Sequence, residues 1–343
     1  MSALDGLYAH PHWPLIVEWF DPSGYLDIHE DLQAAGYTIR EPERLTYHFL
    51  NQGFLERRIY RPQLVRSFDY DFYRAQRGAR GQALNERELQ QHWVYEGVFA
   101  GLAPTDVTQA ALSSPFQVFN MGRVGSQAVV QALAGTGLTN VIHTHSDYEF
   151  GQSYAGSALT FSQLLQVKHF CAGSNPPRII SGVRDPIDWA LSAIWRSASV
   201  GDQKLPRDVR SVLAHVRRTL GAGLNWFRHR YFVDLDVYEY PFDREAGFAI
   251  IEQGRTRVLL YRLDRLPHFR PALEEFTGVA GLALGTVDRS SGSAQRHRLE
   301  TVLRIARLPE DLLNEIYESR YARHFFTPTA RAEMRERWLA HAS

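Results

Sequence analysis

The chain contains a single cysteine, Cys171, among its 343 residues. One cysteine cannot form an internal disulfide, so the fold must depend on a buried apolar core. Lysine and arginine together number 38, as do aspartate and glutamate, so no net charge attracts nucleic acid over a distance. Apolar runs of membrane-spanning length are also absent. We therefore expect a cytoplasmic protein that neither binds nucleic acid nor spans a membrane.

Apolar and aromatic residues are abundant, at 44 % and 12 % of the chain. That content suffices for a sizeable core, and a length of 343 residues makes two domains the natural expectation. Residues 1–105 carry an internal repeat and form the first expected domain. Residues 106–114 are mostly small and polar, and we interpret them as a linker. The second expected domain spans 115–343.

The repeat in residues 1–105 has two copies, at about 18–58 and 66–102. Two segments share the pattern Phe-Asp-x-x-x-Tyr, namely Phe20-Asp-Pro-Ser-Gly-Tyr25 and Phe68-Asp-Tyr-Asp-Phe-Tyr73. Two others share the spacing from His to Gly, namely His48-Phe-Leu-Asn-Gln-Gly53 and His92-Trp-Val-Tyr-Glu-Gly97. Each copy predicts a pair of helices, with aromatic residues packed between the copies.

Individual residues in the repeat predict helix ends and packing. Asp21 followed by Pro22 predicts a helix start, and Gly53 and Gly97 are placed to end helices. The histidine of each copy recurs because the repeat recurs. This favours a buried, hydrogen-bonded packing role for these histidines over a catalytic one.

The most informative segment reads Pro115-Phe-Gln-Val-Phe-Asn-Met-Gly-Arg-Val-Gly-Ser126. It predicts a strand at 116–121, a tight loop and a helix at 126–134. Gly122 and Gly125 let the backbone bend so that successive N–H groups converge, and the helix start adds unpaired N–H groups. Such a cradle suits a phosphate or sulfate, and Arg123 supplies a permanent positive charge. The alternative is a plain strand-to-helix turn.

This loop differs from the phosphate loop of nucleoside triphosphatases. No lysine follows Gly125, whereas the pattern G-x-x-x-x-G-K-[ST] requires one. The arginine lies two positions before that glycine instead, and the pattern G-x-G-x-x-G is absent as well. The loop therefore indicates a ligand whose transferable group needs no magnesium clamp.

A second segment with the same kind of organisation reads Arg178-Ile-Ile-Ser-Gly-Val-Arg-Asp-Pro-Ile-Asp-Trp-Ala-Leu-Ser192. It predicts a buried strand at 179–183, with Asp185 as helix N-cap and Pro186 at the first helical position. Arg184 then lies at the carboxyl end of a strand, where open α/β sheets bind ligands. Ser192 lies two turns into the helix. Taken singly, these two residues would be a solvated arginine at a helix cap and a helix-surface serine.

Two histidines lie between these segments, in Val141-Ile-His-Thr-His145. On a strand, His143 and His145 point to the same face. Histidine is suited to removing a hydroxyl proton near neutral pH. Both could instead be structural residues, and a metal site would need a third ligand that the sequence does not present.

The two segments resemble those of sulfotransferases that use 3′-phosphoadenosine 5′-phosphosulfate (PAPS), in particular bacterial, carbohydrate-type members. The resemblance covers about 115–340 and is strongest at the two segments. It implies that the 5′-phosphosulfate is held by the loop residues Gly122, Arg123, Val124, Gly125, Ser126 and Gln127. It further implies that Arg184 and Ser192, eight residues apart, hold the 3′-phosphate. The family often has a second hydroxyl residue where this chain has Gln127, so that contact is less defined.

The resemblance also suggests a base and an acceptor. A Thr-His pair at a strand end supplies the base in many members, which favours His145, with His143 stabilising the transferring oxygens. Some carbohydrate sulfotransferases use a carboxylate, so Asp147 and Glu149 are the alternatives. The implied cofactor is PAPS without a metal, and the implied acceptor is a carbohydrate or polysaccharide hydroxyl.

Strands that alternate with helices after residue 115 predict an α/β fold with a doubly wound parallel sheet. By resemblance this sheet is P-loop-like, and a small α-helical repeat domain precedes it. Similar repeats occur beside transferases of surface polysaccharides, which implies docking of a protein or a glycan. Two other functions stay open: a nucleotide-dependent kinase with an atypical phosphate loop, and a non-catalytic binding protein for polysaccharide assembly.

Overall fold

The computed structural model describes residues 9–171, 175–199, 209–228, 235–285 and 308–339. The chain divides into two compact units. The N-terminal unit combines Met1–Ser114 with Asp147–Asn175, and the sheet unit combines Pro115–Ser146 with Pro176–Ser343. The segment between His145 and the second predicted strand thus belongs to the N-terminal unit, a division that the sequence does not suggest.

Helices make up most of the regular structure. In chain order they are α1 Trp13–Trp19, α2 Pro22–Ile28, α3 Glu30–Ala34, α4 Pro42–His48, α5 Tyr70–Arg77, α6 Ala79–Gln82, α7 Glu86–His92, α8 Asp106–Ser113, α9 Ser126–Ala134, α10 Asp147–Ser153, α11 Phe161–Phe170, α12 Pro186–Ser199, α13 Val209–Leu224, α14 Arg270–Thr277, α15 Glu310–Tyr317, α16 Arg320–Phe325 and α17 Pro328–Leu339. π-Helical turns follow α4 and α7, at Phe49–Gly53 and Trp93–Gly97. Within the described ranges, no helix has the length and apolarity needed to cross a membrane.

Matching tyrosine–histidine pairs occur in the two copies of the N-terminal pattern. The Tyr25 hydroxyl lies 3.2 Å from Nδ1 of His48, and the Tyr73 hydroxyl lies 2.7 Å from Nδ1 of His92. Both tyrosine side chains are fully buried. The histidines therefore serve as hydrogen-bonded packing residues, as the sequence indicates.

The two glycines that end these patterns have a steric role that the sequence does not suggest. Neither Gly53 nor Gly97 has the positive φ of a left-handed helix cap. A Cβ atom on Gly53 would lie 2.1 Å from the Tyr25 hydroxyl, and one on Gly97 would lie 2.0 Å from the Tyr73 hydroxyl. Glycine is needed here because the tyrosine hydroxyl occupies the place of a side chain.

The segment interpreted as a linker, 106–114, is helical over Asp106–Ser113. Thr105 caps its start, because the Thr105 side chain accepts a hydrogen bond from the Thr108 N–H. The buried ammonium group of Lys168 donates to the carbonyl oxygens of Leu112 and Ser114 at its other end, at 2.7 and 3.0 Å. A cation at a helix C-terminus is stabilising, so both ends of α8 are capped.

The sheet unit contains one five-stranded sheet with the order β2-β1-β3-β5-β4. Its strands are β1 Phe116–Phe119, β2 Val141–Thr144, β3 Arg178–Val183, β4 Phe248–Gln253 and β5 Thr256–Arg262. β2, β1, β3 and β5 are parallel, which confirms the predicted α/β class. The expectation of a wholly parallel sheet is wrong for β4, which pairs with β5 antiparallel from Gln253 opposite Thr256. A two-residue turn joins these strands, and it is too short for a parallel crossover.

The core of the sheet unit lies between the central strands and helices α9 and α14. Val118, Ile180 and Leu259, one from each of β1, β3 and β5, are fully buried in one cluster. Leu133 of α9 and Phe276 of α14 belong to the same cluster and are also fully buried. This packing fixes the carboxyl ends of β1 and β3, and the candidate site lies just beyond them.

Candidate functional site

The candidate site lies at the carboxyl ends of β1 and β3, the two neighbouring strands at the centre of the parallel part of the sheet. From β1 the chain continues through α9 to β2 on one side, whereas β5 lies on the other side of β3. The strand order therefore reverses between β1 and β3. A crevice at such a reversal is where open α/β sheets bind ligands.

The loop between β1 and α9 has an unusual backbone. The φ angles of Gly122, Arg123 and Gly125 are +74°, +58° and +80°. Arg123 is one of only two non-glycine residues with positive φ among the described residues. An L-residue in this region costs about 1–2 kcal/mol, and such strain occurs at functional sites when the surrounding structure imposes it.

The surrounding structure holds the loop through its carbonyl groups. The Trp189 indole N–H donates to the carbonyl oxygens of Met121 and Gly122, each at 3.1 Å. The Tyr261 hydroxyl donates to the carbonyl oxygen of Val124 at 3.0 Å, and Nη1 of Arg184 donates to that of Arg123 at 3.2 Å. Four consecutive carbonyl oxygens thus accept hydrogen bonds from side chains outside the loop.

The N–H groups that follow in the chain differ from these carbonyl groups in their hydrogen bonding. Within the described residues, the N–H groups of Val124, Gly125, Ser126 and Gln127 donate to no other residue. Those of Ser126 and Gln127 belong to the first turn of α9, where the helix dipole is positive. Backbone donors at a helix N-terminus form an anion-binding site.

Three of the sequence-predicted residues, which come from the segments after β1 and β3, are joined directly. Nε of Arg123 donates to the Ser192 hydroxyl at 2.9 Å. Arg184 contacts the same loop through its bond to the Arg123 carbonyl. Ser192 is fully buried, in contrast to the helix-surface serine that its position alone would suggest. These contacts therefore connect two guanidinium groups and one hydroxyl to the loop between β1 and α9.

His143 contacts the loop through the first residue of α9. Its Nε2 lies 3.0 Å from the hydroxyl of the buried Ser126. Burial, and secondarily the neighbouring His145, lowers the pKa of His143 to about 4. His143 is therefore neutral near pH 7, and it acts on the site as a hydrogen-bonding group without a positive charge.

His145 has a defined orientation. Its Nδ1 lies 2.9 Å from the backbone carbonyl oxygen of Asn120, which only accepts hydrogen bonds. Nδ1 therefore carries the proton, and the lone pair of the neutral ring is on Nε2. A Cβ atom on Gly122 would lie 3.9 Å from the His145 ring, so the ring lies against the loop. The histidine rings at 143 and 145 are 5.1 Å apart, edge to face.

We expect His143→Gln to change how stability depends on pH. The unfolded chain binds a proton at His143 near pH 6.5, but the folded protein does so only near pH 4. This contribution to stability is complete above pH 6.5 and is lost as the pH falls towards 4. Glutamine does not titrate, so the variant lacks this loss. Between pH 7.5 and 4.5, the difference in unfolding free energy between variant and wild type should therefore shift in favour of the variant by about 2–3 kcal/mol, which is its gain. Urea unfolding at both pH values measures this gain.

His268→Gln, at an exposed position of the same unit, is the matched control and should show no comparable gain. An equal difference between His143→Gln and wild type at both pH values would contradict the assigned effect of burial.

Three other predicted residues have separate environments. Gln127 is exposed on the first turn of α9. The Asp147 carboxylate accepts hydrogen bonds from the N–H and hydroxyl groups of Ser162, at 2.8 and 2.9 Å. Glu149 is exposed on α10. Asp147 and Glu149 belong to the N-terminal unit. Of the four predicted candidates for a base, the two histidines are therefore those that belong to the sheet unit.

Several further residues that shape the loop were not predicted from the sequence. The buried Asn120 accepts the Gly122 N–H through Oδ1 at 2.8 Å, and its Nδ2 has no partner among the described residues. Its place at the end of β1 could have indicated it. Trp189 could have been found from its i, i+3 spacing to Ser192 on α12. Tyr261 carries no local signal, because it reaches the loop from β5.

A cleft of about 250 Å³ opens beside Arg184, and its lining includes residues that follow β5 and residues of α17. Its charges are mixed. Arg337 donates to the carboxylates of Asp185 and Asp188, each at 3.2 Å, and Arg262 pairs with Asp264. Because these groups neutralise one another, the cleft has no excess of positive charge. Among the described residues, no group of three or more His, Cys, Asp or Glu residues could hold a metal ion.

Comparison with known proteins finds no match to this chain among protein-family models, curated proteins or solved structures. The class that the structure defines is an α/β protein with a mostly parallel five-stranded sheet.

Proposed function

We propose that the protein is a PAPS-dependent sulfotransferase that acts on a carbohydrate hydroxyl. One observation carries this proposal: Arg123 donates to Ser192 at 2.9 Å while Arg184 donates to the Arg123 carbonyl at 3.2 Å. Two separate sequence segments thereby supply cationic and hydroxyl groups to one crevice. A ligand with phosphate groups at two positions would need such an extended anion site.

In this proposal the loop N–H groups bind the 5′-phosphosulfate, and Arg184 and Ser192 bind the 3′-phosphate. The Ser192 hydroxyl can do so while it accepts from Arg123, because a hydroxyl accepts and donates at the same time. Arg123 interacts electrostatically with the sulfuryl group, since an arginine does not give up its proton.

The transfer forms one bond between the acceptor oxygen and sulfur and breaks the bond between sulfur and the bridging phosphate oxygen. Nε2 of His145 takes the proton of the acceptor hydroxyl, because Nδ1 is already protonated and bonded to Asn120. The negative charge left on the phosphate oxygen is stabilised by Arg123 and the N–H groups at the start of α9. The neutral His143 orients the Ser126 hydroxyl.

At the level of the fold, this proposal includes a P-loop-like arrangement of the sheet unit and two helical repeats in the N-terminal unit. The matching contacts of Tyr25 with His48 and of Tyr73 with His92 support the repeats. We assign to them the docking of a protein or a glycan, the role suggested by the resemblance. Cytoplasmic localisation is part of the same proposal.

Titration calorimetry tests the ligand. We expect 3′-phosphoadenosine 5′-phosphate to bind without metal, and ATP with magnesium to bind at least about tenfold more weakly, because the loop lacks the lysine of nucleoside triphosphatases. Turnover is then assayed with PAPS and a panel of mono- and oligosaccharides.

The possible outcomes distinguish the three functions. Binding of ATP with magnesium alone would favour the kinase. Binding of 3′-phosphoadenosine 5′-phosphate with no turnover of PAPS on any acceptor would favour a non-catalytic binding protein. Binding together with sulfated product supports the sulfotransferase.

A further inference from the structure

Tyr321 on α16 contacts both backbone polar groups of Arg184. The Arg184 N–H donates to the Tyr321 hydroxyl at 3.1 Å, and that hydroxyl donates to the Arg184 carbonyl oxygen at 2.9 Å. The hydroxyl also lies 3.7 Å from the sulfur of Met121, just before the loop. One side-chain oxygen therefore touches the ends of both segments that form the candidate site.

This contact lies just beyond the end of the pairing between β3 and β5. The paired register of β3 with β5 ends at Val183 opposite Arg262, so Arg184 lies beyond the ladder. Backbone N–H and carbonyl groups that are shielded from water need hydrogen-bond partners. Tyr321 therefore bonds both backbone polar groups of the residue at which the chain leaves the sheet.

The tyrosine is itself firmly held. Its side chain is buried and its ring packs at 5.0 Å from that of Phe325. Ser319 caps the start of α16 by accepting from the Ala322 N–H. Burial raises the pKa of Tyr321 well above its usual range, so the hydroxyl keeps the proton that it donates. The hydroxyl position is thus set by the fold of the C-terminal helices.

The residue after Arg184 is held by the same group of helices. The Asp185 carboxylate accepts the N–H groups of Ile187 and Asp188 through Oδ1, each at 2.9 Å. Its Oδ2 accepts the Tyr317 hydroxyl at 3.1 Å and Arg337 at 3.2 Å. The turn from β3 into α12 is therefore fixed from the outside by α15, α16 and α17.

We propose that Tyr321 is a positioning residue that fixes the backbone of Arg184 and so aims its guanidinium group at the 3′-phosphate of the nucleotide. The identity of the ligand in this inference rests on the proposed function. The contact between Tyr321 and Arg184 is independent of it. Tyr321 sets the preference for nucleotides that carry a 3′-phosphate without touching the ligand.

The test is Tyr321→Phe, which keeps the ring and removes the hydroxyl. We expect its affinity for 3′-phosphoadenosine 5′-phosphate to fall about five- to tenfold, since a lost supporting bond is worth about one factor of ten or less. Affinity for adenosine 5′-phosphate, which lacks the 3′-phosphate, should fall less than about twofold. In the protein without ligand, hydrogen exchange at the Arg184 amide should become at least about fivefold faster.

Tyr60→Phe is the matched control, because the Tyr60 hydroxyl also donates to a buried backbone carbonyl, that of Val94, but in the N-terminal unit. It should change none of these quantities. Unchanged exchange at Arg184, or an equal loss of affinity for both nucleotides, would overturn the proposal. If exchange becomes faster but wild type binds neither nucleotide, the contact with Arg184 stands and the ligand assignment of the proposed function fails.

Discussion

Replacing Arg123 by alanine should lower kcat with PAPS by about 100- to 1000-fold. Removing one preorganised donor from a site of developing charge typically costs about 2.7–4 kcal/mol of barrier. Arginine and alanine are both L-residues, so the strained φ of +58° at this position is present in either case. The effect should therefore come from the lost guanidinium group, and KM for PAPS should change by much less than kcat.

Formation of 3′-phosphoadenosine 5′-phosphate under steady-state conditions measures this effect. Arg270→Ala is the control, because Arg270 is an exposed residue of α14 whose only ion pair among the described residues is a 3.9 Å contact with Glu274. It should keep wild-type turnover. Near-normal turnover of Arg123→Ala would be incompatible with the proposed mechanism.

Replacing Arg184 by alanine should chiefly weaken nucleotide binding, by about 100-fold for 3′-phosphoadenosine 5′-phosphate. Hydrogen bonds to charged groups contribute about 1.5–3 kcal/mol, and a guanidinium group binds a phosphate in a bidentate manner. The structure adds a second effect, because Arg184 also donates to the carbonyl oxygen of Arg123. We therefore expect a smaller loss, of about threefold, for adenosine 5′-phosphate.

Calorimetry with both nucleotides separates the two effects. Arg257→Ala is a suitable control, because Arg257 lies near the start of β5, opposite Arg178 at the amino end of β3, whereas Arg184 follows the carboxyl end of β3. It should bind both nucleotides as wild type does. If Arg184→Ala binds 3′-phosphoadenosine 5′-phosphate with unchanged affinity, Arg184 does not contact the 3′-phosphate.

The segments of the site could be predicted because their signals are local. Helix α9 begins at Ser126 and ends at Ala134, as the loop glycines and the apolar pattern indicate. Helix α12 begins at Pro186 after the capping residue Asp185, again as predicted. Such boundaries depend on the φ preference of glycine and proline and on side chains that bond nearby N–H groups.

Pairing between distant residues could not be predicted in the same way. The antiparallel direction of β4, the assignment of Asp147–Asn175 to the N-terminal unit and the contacts of Gly53 and Gly97 with tyrosine hydroxyls all depend on partners elsewhere in the chain. A glycine at a helix end is equally compatible with a left-handed cap and with a neighbouring side chain that leaves no room for a Cβ atom. Only the neighbouring side chain decides between the two reasons.

The sequence alone determined the α/β class, the two segments that form the candidate site and the face shared by His143 and His145, because each depends on a short run of residues. The tertiary structure decided what those residues do together. It joined Arg123 to Ser192 and Arg184, placed the proton of His145 on Nδ1 and brought Tyr321 to the backbone of Arg184. These contacts connect residues 25 to 137 positions apart, and only packing of the sheet and helices brings such residues within hydrogen-bonding distance.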